Sequence, residues 1–246
     1  MDLFSKILYN YFMEIINIAN SFYTNYILRF GKDVVLVDCG SNISLEKVKK
    51  KLAKYDISLE DIKAVILTHV HADHVSYMED LLNTISPKLI VGKEAVELLQ
   101  KGEDQFYSFT SPGNRKLTYF FAKLRGGHPA QWHPFDISKY NPVIVEKEDG
   151  ETLKEYGIKL IPLPGHTQDS IGFMVDGDFI VGDAIMNSVP AKHLLPLLIY
   201  SAKDFKDSYN KLIEANANKY YAGHGGPITV EKLKENLKFA MEVEEF

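Results

Sequence analysis

The sequence predicts a layered α/β fold, and three observations predict it. Short β-branched and aromatic runs recur along most of the 246 residues. Amphipathic stretches of helical period fall between and after them. Turn signals and short linkers join the two kinds of element, so the chain from 1 to 246 reads as a single domain. A composition of 46% hydrophobic and 25% charged residues is ordinarily globular, which excludes disordered, collagenous and coiled-coil readings.

EIINIAN (14–20), SFYTNYILRF (21–30) and VVLVDCG (34–40) alternate apolar and polar residues and read as three strands. Gly31-Lys32-Asp33 makes the hairpin turn between the last two. A helix follows, N-capped by Ser44, with Leu45, Val48, Leu52 and Tyr55 on one face. AVILTH (64–69) is a buried strand, MEDLLNTI (78–85) a helix, KLIVG (88–92) a strand and Lys93–Lys101 a helix, which makes two strand–helix–strand units. Residues 102–142 break this pattern. They hold four glycines, four of the ten prolines counting Pro142, and aromatics without a period, and so read as an insertion and active-site lid. Short strands resume at NPVIVEK (141–147), IKLIPLPG (158–165), SIGFMVDG (170–177) and DFIVGD (178–183), with a turn at Val175-Asp176-Gly177-Asp178. Phe205, Tyr209, Leu212 and Ile213 mark a helix over 204–217. KYYAGH (219–224) is strand then loop, and Leu233, Leu237, Ala240 and Met241 mark a helix over 230–243.

Charge and targeting signals narrow the function classes. The chain carries 28 basic and 33 acidic residues, a formal net charge of −5, so neither nucleic acid nor an anionic membrane is an expected partner. One cysteine, Cys39, excludes an internal disulfide framework and a multi-cysteine zinc site. Asp2, Lys6, Asn10 and Glu14 interrupt the N-terminal apolar run, unlike the core of a signal peptide. The most apolar run, Leu194 to Tyr200, is far short of the ~20 residues of a membrane helix. A cytoplasmic location is expected.

Five of the eight histidines fall in positions that carry chemistry. Thr68-His69-Val70-His71-Ala72-Asp73-His74 follows a buried strand directly and packs four metal-capable side chains into six positions. In an extended segment His69 and His71 point to the same side, and a turn after them swings Asp73 and His74 around a neighbouring position. One loop can thus serve two adjacent metals. His166 in Pro164-Gly165-His166-Thr167, Asp183 in Gly182-Asp183 and His224 in Gly223-His224-Gly225 each sit beside glycine at the carboxyl end of a strand.

Together with Asp38 in VLVDCG, these motifs occur in an order that resembles the metallo-β-lactamase superfamily across roughly residues 14–230. The resemblance implies a four-layer αββα sandwich with metals at one edge. It implies that His69, His71 and His166 hold a first divalent ion, that Asp73, His74 and His224 hold a second, and that Asp183 bridges them. It implies that Asp38 braces the histidine loop. The ions would be zinc by preference, with iron or manganese suited to the same ligands. A hydroxide bridging them would be the nucleophile, with Asp73 accepting its proton as the catalytic carboxylate. Two dications against Asp73, Asp183 and one hydroxide leave a local charge of about +1 by formal counting, which suits a small, anionic substrate. Cys39 reads as a packed small residue.

Residue differences within the family sort its branches. Lactamases lack the carboxylate at the Asp183 position, flavodiiron enzymes typically carry Glu at the His71 position, and nuclease relatives usually add an arm or a domain. A carboxylic ester, thioester or lactone, as in the glyoxalase II-like and lactonase-like branch, is therefore the expected substrate class. Alternatives are a phosphodiester or phosphonate on the same pair of metals, an iron-dependent thiol or persulfide oxidoreductase, and a non-catalytic metal-binding module. The basic, aromatic stretch 113–135 offers His128, Trp132 and His133 as substrate-contacting candidates, and 185–200 offers Lys192, His193 and Tyr200. The apolar residues of 185–200 would form a pocket wall or the face of a homodimer.

Overall fold

The structure is a computed structural model, which describes residues 13–19, 23–40, 43–102, 107–116 and 132–246. Its first sheet contains β1 (Met13–Asn17), β2 (Tyr26–Phe30), β3 (Asp33–Val37), β4 (Ile62–Ile66), β5 (Lys88–Gly92) and β7 (Val143–Val145), in that spatial order. β1, β2 and β3 pair antiparallel, the last two through a tight turn at Gly31-Lys32, whereas β3, β4, β5 and β7 are parallel. The second sheet has the order β13 (Tyr220–Ala222), β11 (Asp178–Gly182), β10 (Ile171–Val175), β9 (Ile158–Pro162) and β8 (Asp149–Leu153). A two-stranded ribbon joins β6 (Ser108–Phe109) to β12 (Leu198–Ile199).

Strand alternation assembles these sheets into four layers. On β2, β3 and β4, the side chains of Leu28, Val35, Val37 and Ile66 pack inward with Leu160, Phe173 and Val175 of the second sheet. The intervening Ile27, Val34, Leu36 and Val65 point the other way. They pack against α1 (Leu45–Leu52), α3 (Met78–Thr84) and α4 (Ala95–Lys101) through Val48, Leu52, Leu81 and Leu98. The outer face of the second sheet, with Ile161, Phe179 and Val181, is covered by α5 (Ala202–Ala215) and α6 (Val230–Met241) through Phe205, Tyr209, Leu212 and Leu233. This is the expected αββα sandwich. Among the described residues no helix is long and apolar enough to cross a membrane.

Three details depart from the sequence reading. Tyr55 does not continue the buried face of α1, because the chain tightens into a 3-10 turn at Ala53–Tyr55 and leaves that ring exposed. β8 is unforeseen. Its sequence, DGETL, has no apolar alternation because it is a polar edge strand, and only Leu153 is buried. The 102–142 segment is partly built into the fold. β6 pairs with β12, and Phe135 and Ile137 enter the core beneath α4.

Candidate metal centre

The strands that carry the candidate residues run in a common direction within each sheet. β3 and β4 are parallel, as are β11 and β13, while β9 and β11 are both antiparallel to β10. Asp38, the His69–His74 loop, His166, Asp183 and His224 follow β3, β4, β9, β11 and β13 respectively, so all emerge at carboxyl ends of strands. The sheets are tied together there, since Ile171 N–H donates to the carbonyl of Thr68 at 2.8 Å and Thr24 N–H to that of Gly223 at 2.9 Å.

The histidine loop behaves as its spacing predicts. His71, with φ −130° and ψ 154°, is the last extended residue and the N-cap of the short helix α2 (Ala72–Val75), which carries Asp73 and His74. His71 Nδ1 lies 3.0 Å from His69 Nε2 and 3.2 Å from His166 Nε2. Around one metal at ~2.0–2.1 Å, imidazole nitrogens stand at about this separation. His224 Nε2 lies 3.4 Å from Asp73 Oδ2. Asp183 reaches both groups. Its Oδ2 is 3.6 Å from His166 Nε2 and 3.2 Å from His224 Nε2, and its Oδ1 is 3.9 Å from His74 Nε2. Three overlapping sets of donors, His69/His71/His166, His69/His74/Asp183 and Asp73/His74/His224, each lie within 4.8 Å of one another.

The chemistry of these donors fits divalent metal. Among the described residues His74 Nε2 and Asp183 Oδ1 are buried polar atoms without a hydrogen-bond partner, which is costly unless a cation faces them. Burial, reinforced by the neighbouring histidines, holds the His69 and His166 imidazoles below their ordinary range and His71 down to about 3, so these rings are neutral donors with a lone pair to give. In the other half of the site burial also opposes charge, but the carboxylates outweigh it. Asp38 raises His74 to about 9, and Asp183 with Asp73 raises His224 to about 11. Against the same burial, His224 and His74 hold Asp183 down to about 2 and Asp73 well below the carboxylate range. Protons and metal ions therefore compete for the same nitrogens.

A second tier of contacts aims the rings. Asp38 takes the left-handed conformation, φ 63°, and turns its carboxylate under the loop. There it accepts from Thr68 N–H at 2.7 Å, from the Thr68 hydroxyl at 2.9 Å and from His74 Nδ1 at 2.9 Å. The Thr68 hydroxyl also meets His69 Nδ1 at 3.1 Å. Two supports were not foreseen. Buried Asp169 accepts from Val70 N–H at 2.8 Å, fixing the backbone between His69 and His71, and its carboxyl is raised to about 6 by burial. The hydroxyl of Tyr107 contacts His71 Nε2. Only their nearness in the fold marks them, since Asp169 is far in sequence from the loop it holds.

Glycine makes room for this arrangement. A Cβ at Gly40 would stand 1.6 Å from the Asp73 carbonyl oxygen, and one at Gly223 would stand 2.2 Å from Asp183 Oδ1. Gly223→Ala is expected to displace Asp183 and weaken metal binding about 10-fold or more. Metal titration should show this while the thermal melt of the chelated protein stays cooperative. An unchanged affinity would refute it.

Most of the remaining candidates among the described residues are not gathered at the cluster. Trp132 packs beside the core under α4, and exposed His133 meets Glu79 at 3.1 Å. His128 lies outside the described residues. Exposed His193 stacks on Phe239 of α6 at 3.6 Å between ring centroids, in a hollow with Asn187 and Lys232, and Lys192 is exposed beside it. Tyr200 alone adjoins the site, its N–H donating to the carbonyls of Gly165 and His166. Ile185, Leu194 and Ile199 are core residues. Cys39 is fully buried, and burial pushes its thiol up, away from nucleophilic use.

Comparison with known proteins adds to this geometry. The family model described as Metallo-beta-lactamase superfamily matches residues 21–224. The chain is 30% identical over 212 residues to "Probable metallo-hydrolase MJ0888" of Methanocaldococcus jannaschii, covering 82% of this chain and 87% of that one. It is 25% identical over 227 residues to "Metallo-beta-lactamase fold-containing protein ST1585" of Sulfurisphaera tokodaii, covering 90% and 80%. The crystal structure of ST1585 superposes with a TM-score of 0.62 over 95% of this chain and 88% of that one, at 22% identity. A "Hydroxyacylglutathione hydrolase" of Wigglesworthia glossinidia brevipalpis is 27% identical over 214 residues, covering 86% of this chain and 62% of that one.

Proposed function

The chain belongs to the metallo-beta-lactamase superfamily, and from that premise we propose that it is a dinuclear, zinc-dependent hydrolase of a carboxylic ester, thioester or lactone. The observation that carries this reading is Asp183, whose carboxylate stands within 4.0 Å of nitrogens from both histidine groups. His69, His71 and His166 would hold one ion, Asp73, His74 and His224 the other, and Asp183 both. Bound there, the ions would supply a water nucleophile at neutral pH and polarise the carbonyl under attack.

The chain's own residues divide the remaining work. Asp73 is the one carboxylate of the cluster open to solvent, with 29% of its side chain exposed against 3% for Asp183. That exposure supports a role in taking the proton of the attacking water and releasing it. Asp38, Thr68 and Asp169 hold the histidine loop in register, so the rings need not reorganise as the reaction proceeds. Two dications against Asp73 and Asp183 favour an anionic small molecule. The hydroxyacylglutathione hydrolase among the relatives adds support for the thioester member of the class.

The test is an activity panel on the zinc-loaded chain, spanning p-nitrophenyl esters, lactones, S-lactoylglutathione and bis-phosphodiesters. Turnover of at least one ester, thioester or lactone is expected, lost on chelation and restored by zinc. Phosphodiester cleavage without ester turnover would overturn the substrate class.

A further inference from the structure

The outer nitrogens of two candidate ligands are both held by one small element. β6 and β12 pair Leu198 with Phe109 and Ile199 with Ser108. From β12, the carbonyl of Leu198 accepts from His166 Nδ1 at 2.7 Å. From the residue just before β6, the Tyr107 hydroxyl meets His71 Nε2. The Tyr107 ring stands edge-on to His71, 5.0 Å between centroids at 72°, and lies parallel to His166 at 6.4 Å and 13°. The ribbon is itself clamped. Phe109 exchanges both backbone hydrogen bonds with Phe246, at 3.2 and 3.1 Å, and the Thr110 hydroxyl donates to the carbonyl of Pro196 at 2.7 Å.

The three rings of this group do not present the same nitrogen. His69 and His166 face the cluster with Nε2, but His71 faces it with Nδ1. An imidazole that gives Nδ1 to a metal carries its proton on Nε2 and needs an acceptor there. Tyr107 Oη is that acceptor. A half-turn of the His71 ring would put Cδ2 where Nδ1 stands and Cε1 where Nε2 stands, so it would take the lone pair from the cluster and lose the contact to Tyr107 together.

We propose that Tyr107 is a positioning residue that fixes the tautomer and ring orientation of His71, so that the β6–β12 ribbon aims two of the three histidine ligands of one metal ion. This rests on the metal-binding reading above. It also gives 107–116 a function distinct from closing over substrate.

Cobalt(II) titration with a competing chelator tests it. Tyr107→Phe keeps the ring and its packing and removes only the hydroxyl. It is expected to lower cobalt affinity 10- to 100-fold and to shift the visible d–d bands. Affinity within twofold of the parent chain and a superimposable spectrum would overturn the proposal. A second measurement needs no variant. In the zinc-loaded parent chain, long-range 1H–15N correlation should show His71 protonated at Nε2, with a downfield proton protected from exchange. A proton on Nδ1, or an Nε2 proton exchanging as fast as that of an exposed imidazole, would also overturn it. If the parent chain takes up neither cobalt nor zinc, the metal-binding reading fails, and this proposal with it.

Discussion

Asparagine in place of Asp183 is expected to reduce bound zinc from two ions per chain to one or fewer. Hydrolysis of the best substrate should fall by at least about two orders of magnitude. The substitution keeps volume and one carbonyl oxygen, so the fold has no reason to change. What it removes is a charge that is 3% exposed and faces nitrogens of His69, His74, His166 and His224 within 4.0 Å. Among the described residues Asp183 Oδ1 has no hydrogen-bond partner, so its environment favours an anion only where cations face it. The asparagine amide would instead point two N–H donors at nitrogens needed as metal donors. Metal analysis after gel filtration, paired with steady-state kinetics, decides the matter. Two ions per chain and undiminished turnover would show that Asp183 only balances charge.

How much of this was legible in the sequence depends on the range of the interaction involved. The sandwich follows from strand alternation and helix periodicity, which are local. Val35 and Val37 face one way and Val34 and Leu36 the other because side chains alternate along any strand. The His69–His74 loop stands out because its donors adjoin in sequence, and His166, Asp183 and His224 only through their joint order after it, which resembles the family pattern. Asp169 and Tyr107 were not legible. Each reaches the histidine loop through a hydrogen bond to a residue at least 36 positions away, and neither breaks a local pattern. The polar edge strand β8 escaped for a related reason, because its identity comes from its neighbour β9 and not from its own residues. Trp132, His133 and His193 stand out by chemical type alone, and among the described residues their contacts are packing against the core, a surface contact with Glu79 and a stack on Phe239.

In chelated protein, stability should decline as pH rises above about 6.5, and Asp38→Asn should abolish much of that decline. Against the cost of burial, Asp38 raises His74 from 6.5 to about 9, while Asp183 and Asp73 raise His224 from 6.5 to about 11. Between pH 6.5 and 9 the folded chain therefore binds more protons than the unfolded chain, and the free energy of unfolding falls with pH. At the acid end the sign reverses. Asp183, lowered from 3.8 to about 2, contributes stability above 3.8 that is lost as pH falls through 2. Below 6.5 the unfolded chain also takes up protons on His69, His71 and His166, which burial keeps neutral in the fold, so the chelated chain should be most stable near pH 6.5. Asp38→Asn removes the anion 2.9 Å from His74 Nδ1 and leaves the His224 share of the slope intact. It also breaks a buried pair, at a cost of about 3–5 kcal/mol. Zinc should invert the dependence of the parent chain, because the nitrogens must shed protons to bind it and stability then rises with pH over the same window. Urea midpoints at pH 5.5, 7.0 and 8.5, with chelator and with zinc, measure both slopes. A chelated parent chain whose stability is flat or rising from pH 6.5 to 9 would mean that His74 and His224 are not the proton holders, and that the carboxylates around them are balanced by something else.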